Sequence, residues 1–264
     1  MTNDKLLLEN LPTGKPHVSF SEVITWVDCS WRHKLRYVDH IDTYEPSPFP
    51  DFGKAVHSSC EHFLRTRDVD VSIATDAIAK SWKKYDFKNV GAWQGEAEGI
   101  MADIPVFMDE TFPDWEYIDA EHQLYEQIDG QPHAFKGFID GIIKVPHKKK
   151  HLFWLIDWKT TSWGWSRQKK SDRNLQAQLV YYKNFWSQKT GINPKDVRVA
   201  FVLLKRSAKP GKHCEFLPSS VGPVPTQRNL KIVNNMLSSV KRGKAIKNRF
   251  SCKFCEFKDT EYCP

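Results

Sequence analysis

The stretch from Ala134 to Thr161 reads Ala134-Phe135-Lys136-Gly137-Phe138-Ile139-Asp140-Gly141-Ile142-Ile143-Lys144-Val145, turns through Pro146 and the basic run His147 to His151, and resumes as Leu152-Phe153-Trp154-Leu155-Ile156-Asp157-Trp158-Lys159-Thr160-Thr161. Polar and apolar residues alternate up to Val145, and an apolar run follows the turn, so the segment reads as a hairpin of two strands. The pair Gly137-x2-Asp140 and Asp157-x-Lys159 then places two carboxylates and a lysine on neighbouring apolar strands. Strand ends at the rim of a sheet are rigid. Carboxylates fixed there can hold a divalent cation while the lysine orients or polarises an attacking water. An Asp-x-Lys triplet by itself is also what a solvated strand end looks like, so the weight lies in what surrounds it.

Outward from the hairpin, a coarse pass gives the order of elements. Ser19 to Lys34 reads as a helix, capped by Ser19 or Ser21, with Val23, Ile24, Val27 and Trp31 near one face and Cys29 near its end. After a proline-rich connector, Tyr44 to Pro50, the pattern from Phe52 to Arg65 is helical and turns Ala55, Val56, Cys60, Phe63 and Leu64 inward. Val71 to Phe87 and Ala92 to Glu110 read as two further helices anchored by Trp82, Tyr85, Trp93, Ile100 and Phe107. Strands are expected at Trp115 to Gln127, Ala134 to Val145 and Leu152 to Thr160, then a helix from Asp172 to Gln188, a strand from Val197 to Lys205 and a last helix from Gln227 to Lys244. Ser207 to Thr226 shows little periodicity and reads as a loop over the cleft or a spacer.

Three more elements stand around the hairpin in a fixed order: Gly53-x3-His57, Glu121, and Gln178-x3-Tyr182. Together with Gly-x2-Asp and Asp-x-Lys they resemble the PD-(D/E)xK nuclease superfamily, and within it the RecB-like exonucleases that include the CRISPR-associated adaptation nuclease. The resemblance spans Val18 to Cys263. It implies an α/β fold with a restriction-endonuclease-like core, in the order helix, three strands, helix, strand, plus an extra helical wall. One nuclease domain, 1–264, is expected, with the N-terminal helix at 18–43, the core at 52–206, a helical insertion at 71–111 and a C-terminal part at 227–264. The resemblance further implies that Asp140 and Asp157 bind Mg²⁺ or Mn²⁺, with His57 and the Trp158 carbonyl completing the protein ligands and Lys159 orienting water. A lone histidine on a buried helix is more often a core residue than a ligand, and the Gly-x3-His spacing is what favours the metal. Glu121 is an additional site carboxylate or an exposed strand residue. Gln178 and Tyr182, one helical turn apart, share a face at the edge of the site.

Cys29 lies far upstream of Cys252, Cys255 and Cys263, and this set resembles the iron-sulfur branch of the same family. There four thiolates hold a [4Fe-4S] cluster that staples the chain ends around the core. The spacing Cys255-x7-Cys263 is longer than the commoner pattern, and zinc is the rival occupant. Six cysteines are too few for a disulfide scaffold in a chain this long. Cys60 reads as a core residue, and Cys214 as part of a polar loop.

The net charge of +7 and basic clusters at Arg167 to Lys170, Lys205-Arg206, Lys209, Lys212 and Lys241 to Lys244 suit a polyanionic partner, although solvated surface charge is the plain alternative. No apolar run nears the length of a membrane span, and no apolar signal segment precedes Pro12, so a cytoplasmic protein is expected, with no membrane partner. Trp163, Trp165, Arg167, Lys169 and Lys170, just past Lys159, could guide single-stranded DNA by stacking and phosphate contacts. Alternatively, the two tryptophans close the core under a loop. The expected activity is a metal-dependent DNA exonuclease favouring single strands or free ends in replication, recombination or repair. The alternatives are an endonuclease or flap-cleaving enzyme of the same fold, trimming of CRISPR precursors included, and a non-catalytic DNA-binding module. A helicase or recombination partner would be in keeping with the branch, and nothing in the sequence identifies one.

Overall fold

The computed structural model of the chain describes residues 8–43, 47–84 and 89–264. Its elements are β1 (His17–Ser19), α1 (Phe20–Asp28), α2 (Ser30–His33), a π-helical turn (Lys34–Val38), α3 (Pro48–Thr66), α4 (Val71–Trp82) and α5 (Val90–Thr111). The sheet strands β2 (Glu116–Gln127), β3 (Ala134–His147) and β4 (Lys150–Thr161) follow. Then come α6 (Arg167–Lys170), α7 (Arg173–Thr190), β5 (Val197–Lys205), β6 (Cys214–Ser219), α8 (Pro223–Lys241) and a 3₁₀ turn (Arg249–Phe254).

The hairpin forms as its alternation demands. His147 pairs with Lys150 across a two-residue turn, where Lys148 takes φ +55°. β2 runs antiparallel along one edge of β3 from Gln127↔Ala134 to Glu116↔Lys144, with a register shift between Tyr117 and Asp119. The opposite edge of β3 is shared: β1 pairs in parallel with Ala134 to Lys136, and β4 pairs antiparallel from Gly141 onward. Neither strand is paired with residues 137–140 on that edge. β4 meanwhile continues in parallel register with β5 as far as Thr161↔Lys205, so it leaves β3 at Gly141↔Ile156. Asp140 and Asp157 of the hairpin therefore fall where the sheet splits.

Two apolar cores cover the two faces. One unites Val23, Phe135, Ile139, Tyr181, Phe185, Phe201 and Leu237 under α1, α7 and α8. The other unites Phe52, Val56, Leu64, Ile100, Ile156, Trp158 and Val202 under α3, α4 and α5. Caps set the helix starts: the Ser19 hydroxyl accepts from the Glu22 amide at 3.3 Å, and the Asp172 carboxylate accepts from the Asn174 amide at 2.8 Å. Gly191, at φ +72°, ends α7. No helix among the described residues is long and apolar enough to cross a membrane.

Four expectations change. The N-terminal helix is not continuous, because Cys29 is extended (φ −161°, ψ 110°) and separates α1 from α2. Its thiol caps the second helix, accepting from the Arg32 amide at 3.5 Å. Part of the segment 207–226 is a strand: β6 pairs antiparallel with β5, and Cys214 opens it opposite Leu204, packed against the second core rather than lying in a polar loop. The last helix starts at Pro223 and ends at Lys241. The helix from Val71 ends at Trp82, and the expected anchor Tyr85, like Tyr44, Glu45 and Pro46 of the connector, lies outside the described residues.

Candidate active site

The split sheet leaves a cleft floored by residues 137–140 of β3 and 157–159 of β4, with α3 crossing above. Gly53 is glycine because α3 meets β4 there: a Cβ would stand 3.3 Å from the Thr160 hydroxyl. One turn further along α3, His57 reaches down to the strands, its Nδ1 3.7 Å from Asp140 Oδ2. The Trp158 amide donates to Asp140 Oδ2 at 2.7 Å, just past the point where the β3–β4 ladder ends. That bond fixes the carboxylate without using its second oxygen. Asp157 is 1 % exposed, and Lys159 Nζ sits 2.6 Å from its Oδ2.

Glu121 joins them from β2. Ala120 pairs with Gly141 and His122 with Ile139, which sets Glu121 beside Asp140. It holds φ +51°, a left-handed conformation that costs a non-glycine residue about 1–3 kcal/mol and is retained where the surroundings impose it. His57, Glu121 and Asp140 each offer one ligand atom, and the three atoms lie within 4.8 Å of one another. Glu121 thus stands in the ligand cluster itself, while Asp157 borders it in partnership with Lys159.

The electrostatics are those of carboxyls crowded together in a buried site with one lysine among them. Burial, then the charge of Asp157, pushes the Asp140 carboxyl well above the usual carboxylate range, against the pull of Lys159 and the Trp158 amide. Burial also raises Asp157, with Lys159 opposing. Loss of hydration, then Glu61 and Asp157, raises Glu121. Burial alone would depress Lys159, but Asp157 and Asp140 reverse the sign and keep it an ammonium. Burial, then the Lys159 charge, lowers His57 to about 4, with the Trp158 backbone as a hydrogen-bond partner in opposition. The imidazole is neutral at pH 7 and has a lone pair to give. Three carboxyls that resist ionising beside a neutral imidazole are a donor set that fits a hard divalent cation.

Gln178 and Tyr182 meet as their spacing predicts, with Gln178 Nε2 donating to the Tyr182 hydroxyl at 2.8 Å. Tyr182 lies over Gly137, where a Cβ would come within 3.1 Å of its ring. Burial, then Asp157 and Asp140, raises its pKa well above the usual phenol range, so it stays protonated. The segment past Lys159 divides. Trp165 packs edge-on against Phe201 at 5.2 Å beneath Lys169 Nζ, 4.9 Å from its ring, whereas Trp163 is 79 % exposed. Lys170 is paired with Glu215, and Arg167 is exposed. Arg206, part of an expected basic patch, is spent within the fold on Glu96 at 3.2 Å and Ser162 Oγ at 2.8 Å.

Cys29, Cys252, Cys255 and Cys263 line one small cavity. Arg32, Lys247 and Arg249 line it too, and the Arg32 and Asn248 amides both point at Cys29 Sγ, at 3.5 and 3.3 Å. Glu61 was not singled out from the sequence. It lies one turn after His57 on α3 and bears on Glu121, and the i, i+4 spacing on the ligand-bearing helix is the signal that could have found it.

The family profile of the PD-(D/E)XK nuclease superfamily matches residues 17–264. The chain belongs to that superfamily. Among solved structures it is similar to a protein from Eubacterium rectale described as a "Putative exonuclease", with 14% sequence identity, a TM-score of 0.59, and coverage of 94% of this chain and 90% of that one. At that identity the likeness bears on the fold. No curated protein matches the chain.

Proposed function

We propose that the protein is a metal-dependent DNA exonuclease of the RecB-like type, acting on single strands or free ends. The observation that carries the reading is the convergence of His57, Glu121 and Asp140 within 4.8 Å, beside an Asp157–Lys159 pair in a superfamily of nucleases. Asp140, Glu121, His57, Asp157 and the Trp158 carbonyl are the groups that would hold Mg²⁺ or Mn²⁺, which when bound supplies Lewis acidity at the phosphate and a water of lowered pKa. The chain does the rest. The Trp158 amide holds Asp140 in one orientation, and burial excludes competing water. Lys159, kept cationic by the aspartates, orients the nucleophilic water and offsets the charge that grows on phosphorus. Gln178 and Tyr182 form the wall against which the substrate backbone rests, with the Tyr182 hydroxyl, which stays protonated, as a hydrogen-bond donor to a phosphate oxygen.

The four cysteines are the ligands we assign to a [4Fe-4S] cluster. In support, they line one cavity, Arg32, Lys247 and Arg249 bring positive charge to it against the negative charge of four thiolates, and two amides already point at Cys29 Sγ. Iron content and visible absorbance of anaerobically purified protein test this independently of cleavage. A Cys255→Ala protein with the wild-type iron content would remove the assignment.

Linear and circular single-stranded DNA of the same sequence, incubated with Mg²⁺, Mn²⁺ or EDTA, test the nuclease reading. Metal-dependent release of mononucleotides or short oligonucleotides from the linear form alone is expected. Cleavage of the circle would turn the reading to an endonuclease, and DNA binding without any cleavage to the non-catalytic module.

A further inference from the structure

Above the cleft, two large aromatic rings face solvent. Trp163 is 79 % exposed and Phe49 is 59 % exposed. Single exposed apolar residues are ordinary on any protein surface. These two differ because both are built on fixed supports that meet at one residue. The loop carrying Trp163 is pinned on both sides: the Arg206 amide donates to the Thr161 carbonyl at 2.9 Å, the Ser207 amide to the Ser162 carbonyl at 3.0 Å, and Gly164 turns it at φ +106°. Phe49 sits in the first turn of α3, edge-on to Trp93 at 5.4 Å. The Arg206 guanidinium joins the two supports. It lies 4.1 Å from the Trp93 ring and 5.4 Å from those of Phe49 and Phe52, while bonding Ser162 Oγ at 2.8 Å and Glu96 at 3.2 Å.

The position of this pair relative to the ligand cluster follows from α3. His57 stands at the cluster, Gly53 at the crossing with Thr160, and Phe49 beyond the end of β4, so eight residues of helix, about 12 Å, separate Phe49 from His57. At about 3.4 Å per stacked nucleotide, that is roughly three to four bases. Aromatic faces bind unpaired bases without sequence choice, and the bases of a duplex are already stacked on each other. Phe49 is held by Trp93 and Arg206, and Trp163 stands on a pinned backbone, so ordering them on binding costs less than ordering a free loop.

We propose that Phe49 and Trp163, buckled together by Arg206, form an aromatic rim that stacks unpaired bases about three to four nucleotides from the scissile phosphate and so selects single-stranded over duplex substrate. The inference rests on the nuclease reading of the cleft and adds to it the residues that select the single-stranded form. The side chains are exposed, so their removal leaves the fold alone, and the expected defect depends on substrate length.

The experiment compares wild type, the Phe49→Ala/Trp163→Ala double variant and the Phe49→Tyr/Trp163→Tyr variant on single-stranded oligonucleotides of graded length and on a blunt duplex. The alanine variant should raise KM for single strands of about eight nucleotides or longer by at least tenfold. The penalty should vanish for substrates of two or three nucleotides, the duplex should be unaffected, and the tyrosine variant should recover most of the loss. An alanine variant that handles long single strands like wild type overturns the rim, as does an equal loss on duplex and on the shortest substrates. If wild type cleaves no substrate with any metal, the nuclease reading fails and the rim with it; cleavage by wild type without the length-dependent defect fails the rim alone.

Discussion

The candidate active-site cleft and the cysteine cap are both places where polar or reactive groups meet inside the chain, yet they are supported in opposite ways. In the cleft the groups hang from long strands that face both cores and from a nineteen-residue helix packed on the second. Asp140 is tied by a backbone amide, Asp157 is 1 % exposed, and Glu121 is held in a left-handed conformation. In the cap, three of the four cysteines lie in a segment whose only regular element is a six-residue 3₁₀ turn. Phe250 and Phe254 stand 102 % and 85 % exposed there, and Phe257 is its buried anchor. The cap is joined to the N-terminal helices by contacts such as Trp31 Nε1 to the Tyr262 carbonyl at 3.2 Å and Arg32 to Glu256 at 2.6 Å. The lesson is that the cleft is preformed by the fold, whereas the cap has little regular structure of its own and, on the proposed reading, would take its order from a group held by the thiolates.

The largest expected effects lie in the cleft. Asp157→Asn and Lys159→Ala should each lower the single-turnover cleavage rate by about 10²–10³-fold or more, and Lys159→Ala, which leaves Asp157 buried without its cation, should also lower Tm. A rate within threefold of wild type would mean that the chemistry happens elsewhere. At the cap the expectation is reversed. Cys29→Ala should lower Tm by about 5 °C or more and expose the segment after Val240 to limited proteolysis, leaving the strands and α7 protected. Uniform proteolysis of the core would break the contrast between the two regions.

Trp163 and Trp165 repeat the contrast on a smaller scale. Trp165→Ala should cost about 2–4 kcal/mol in denaturant unfolding, because its ring packs on Phe201, and Trp163→Ala should stay within about 0.5 kcal/mol of wild type.

The smallest effect is one of pH. Asp140, Asp157 and Glu121 have folded-state pKa values raised above the ordinary carboxylate range, so the metal-free fold binds more protons than the unfolded chain and loses stability as pH rises through those values. His57, lowered to about 4, acts in the opposite sense between that value and 6.5, so the carboxylate effect is read cleanly above pH 6.5. There the unfolding free energy should fall with pH while Asp140, the carboxyl pushed furthest up, is still titrating, by at most about 1.4 kcal/mol per titrating group per pH unit, and Tm should fall with it. Added Mn²⁺ should restore more stability at pH 8 than at pH 6.5. Asp140→Asn should flatten both trends; slopes equal to those of wild type would place the proton exchange outside the cleft.

Much of the core was legible because its signals are strong and local. Alternation fixed the hairpin, and the β-branched and aromatic run from Val197 to Lys205 coincides with β5. The carboxylates, His57 and the Gln178–Tyr182 pair were found through the order of their spacings, and the fold brings them to one cleft. What was not legible depends on tertiary contacts. β1 has only three residues and exists because β3 offers it an edge. β6, with Pro218 and Glu215 within it, carries no clean period and is fixed by its ladder to β5. The break at Cys29 is invisible to helical periodicity, because apolar residues recur across it, and it follows from the reach of the thiol toward Asn248. The left-handed turn at Glu121, which carries that carboxylate into the ligand cluster, has no mark in the sequence.

The measurement that bears most directly on the central claim is cleavage of 5′- and 3′-labelled single-stranded DNA by anaerobically purified wild type and Asp140→Ala across a titration of Mn²⁺, with EDTA as the zero point. The account predicts label release by wild type that saturates with Mn²⁺, ceases in EDTA, and is lost from Asp140→Ala at every concentration. Label release by Asp140→Ala at the wild-type rate, or by wild type in EDTA, would contradict it.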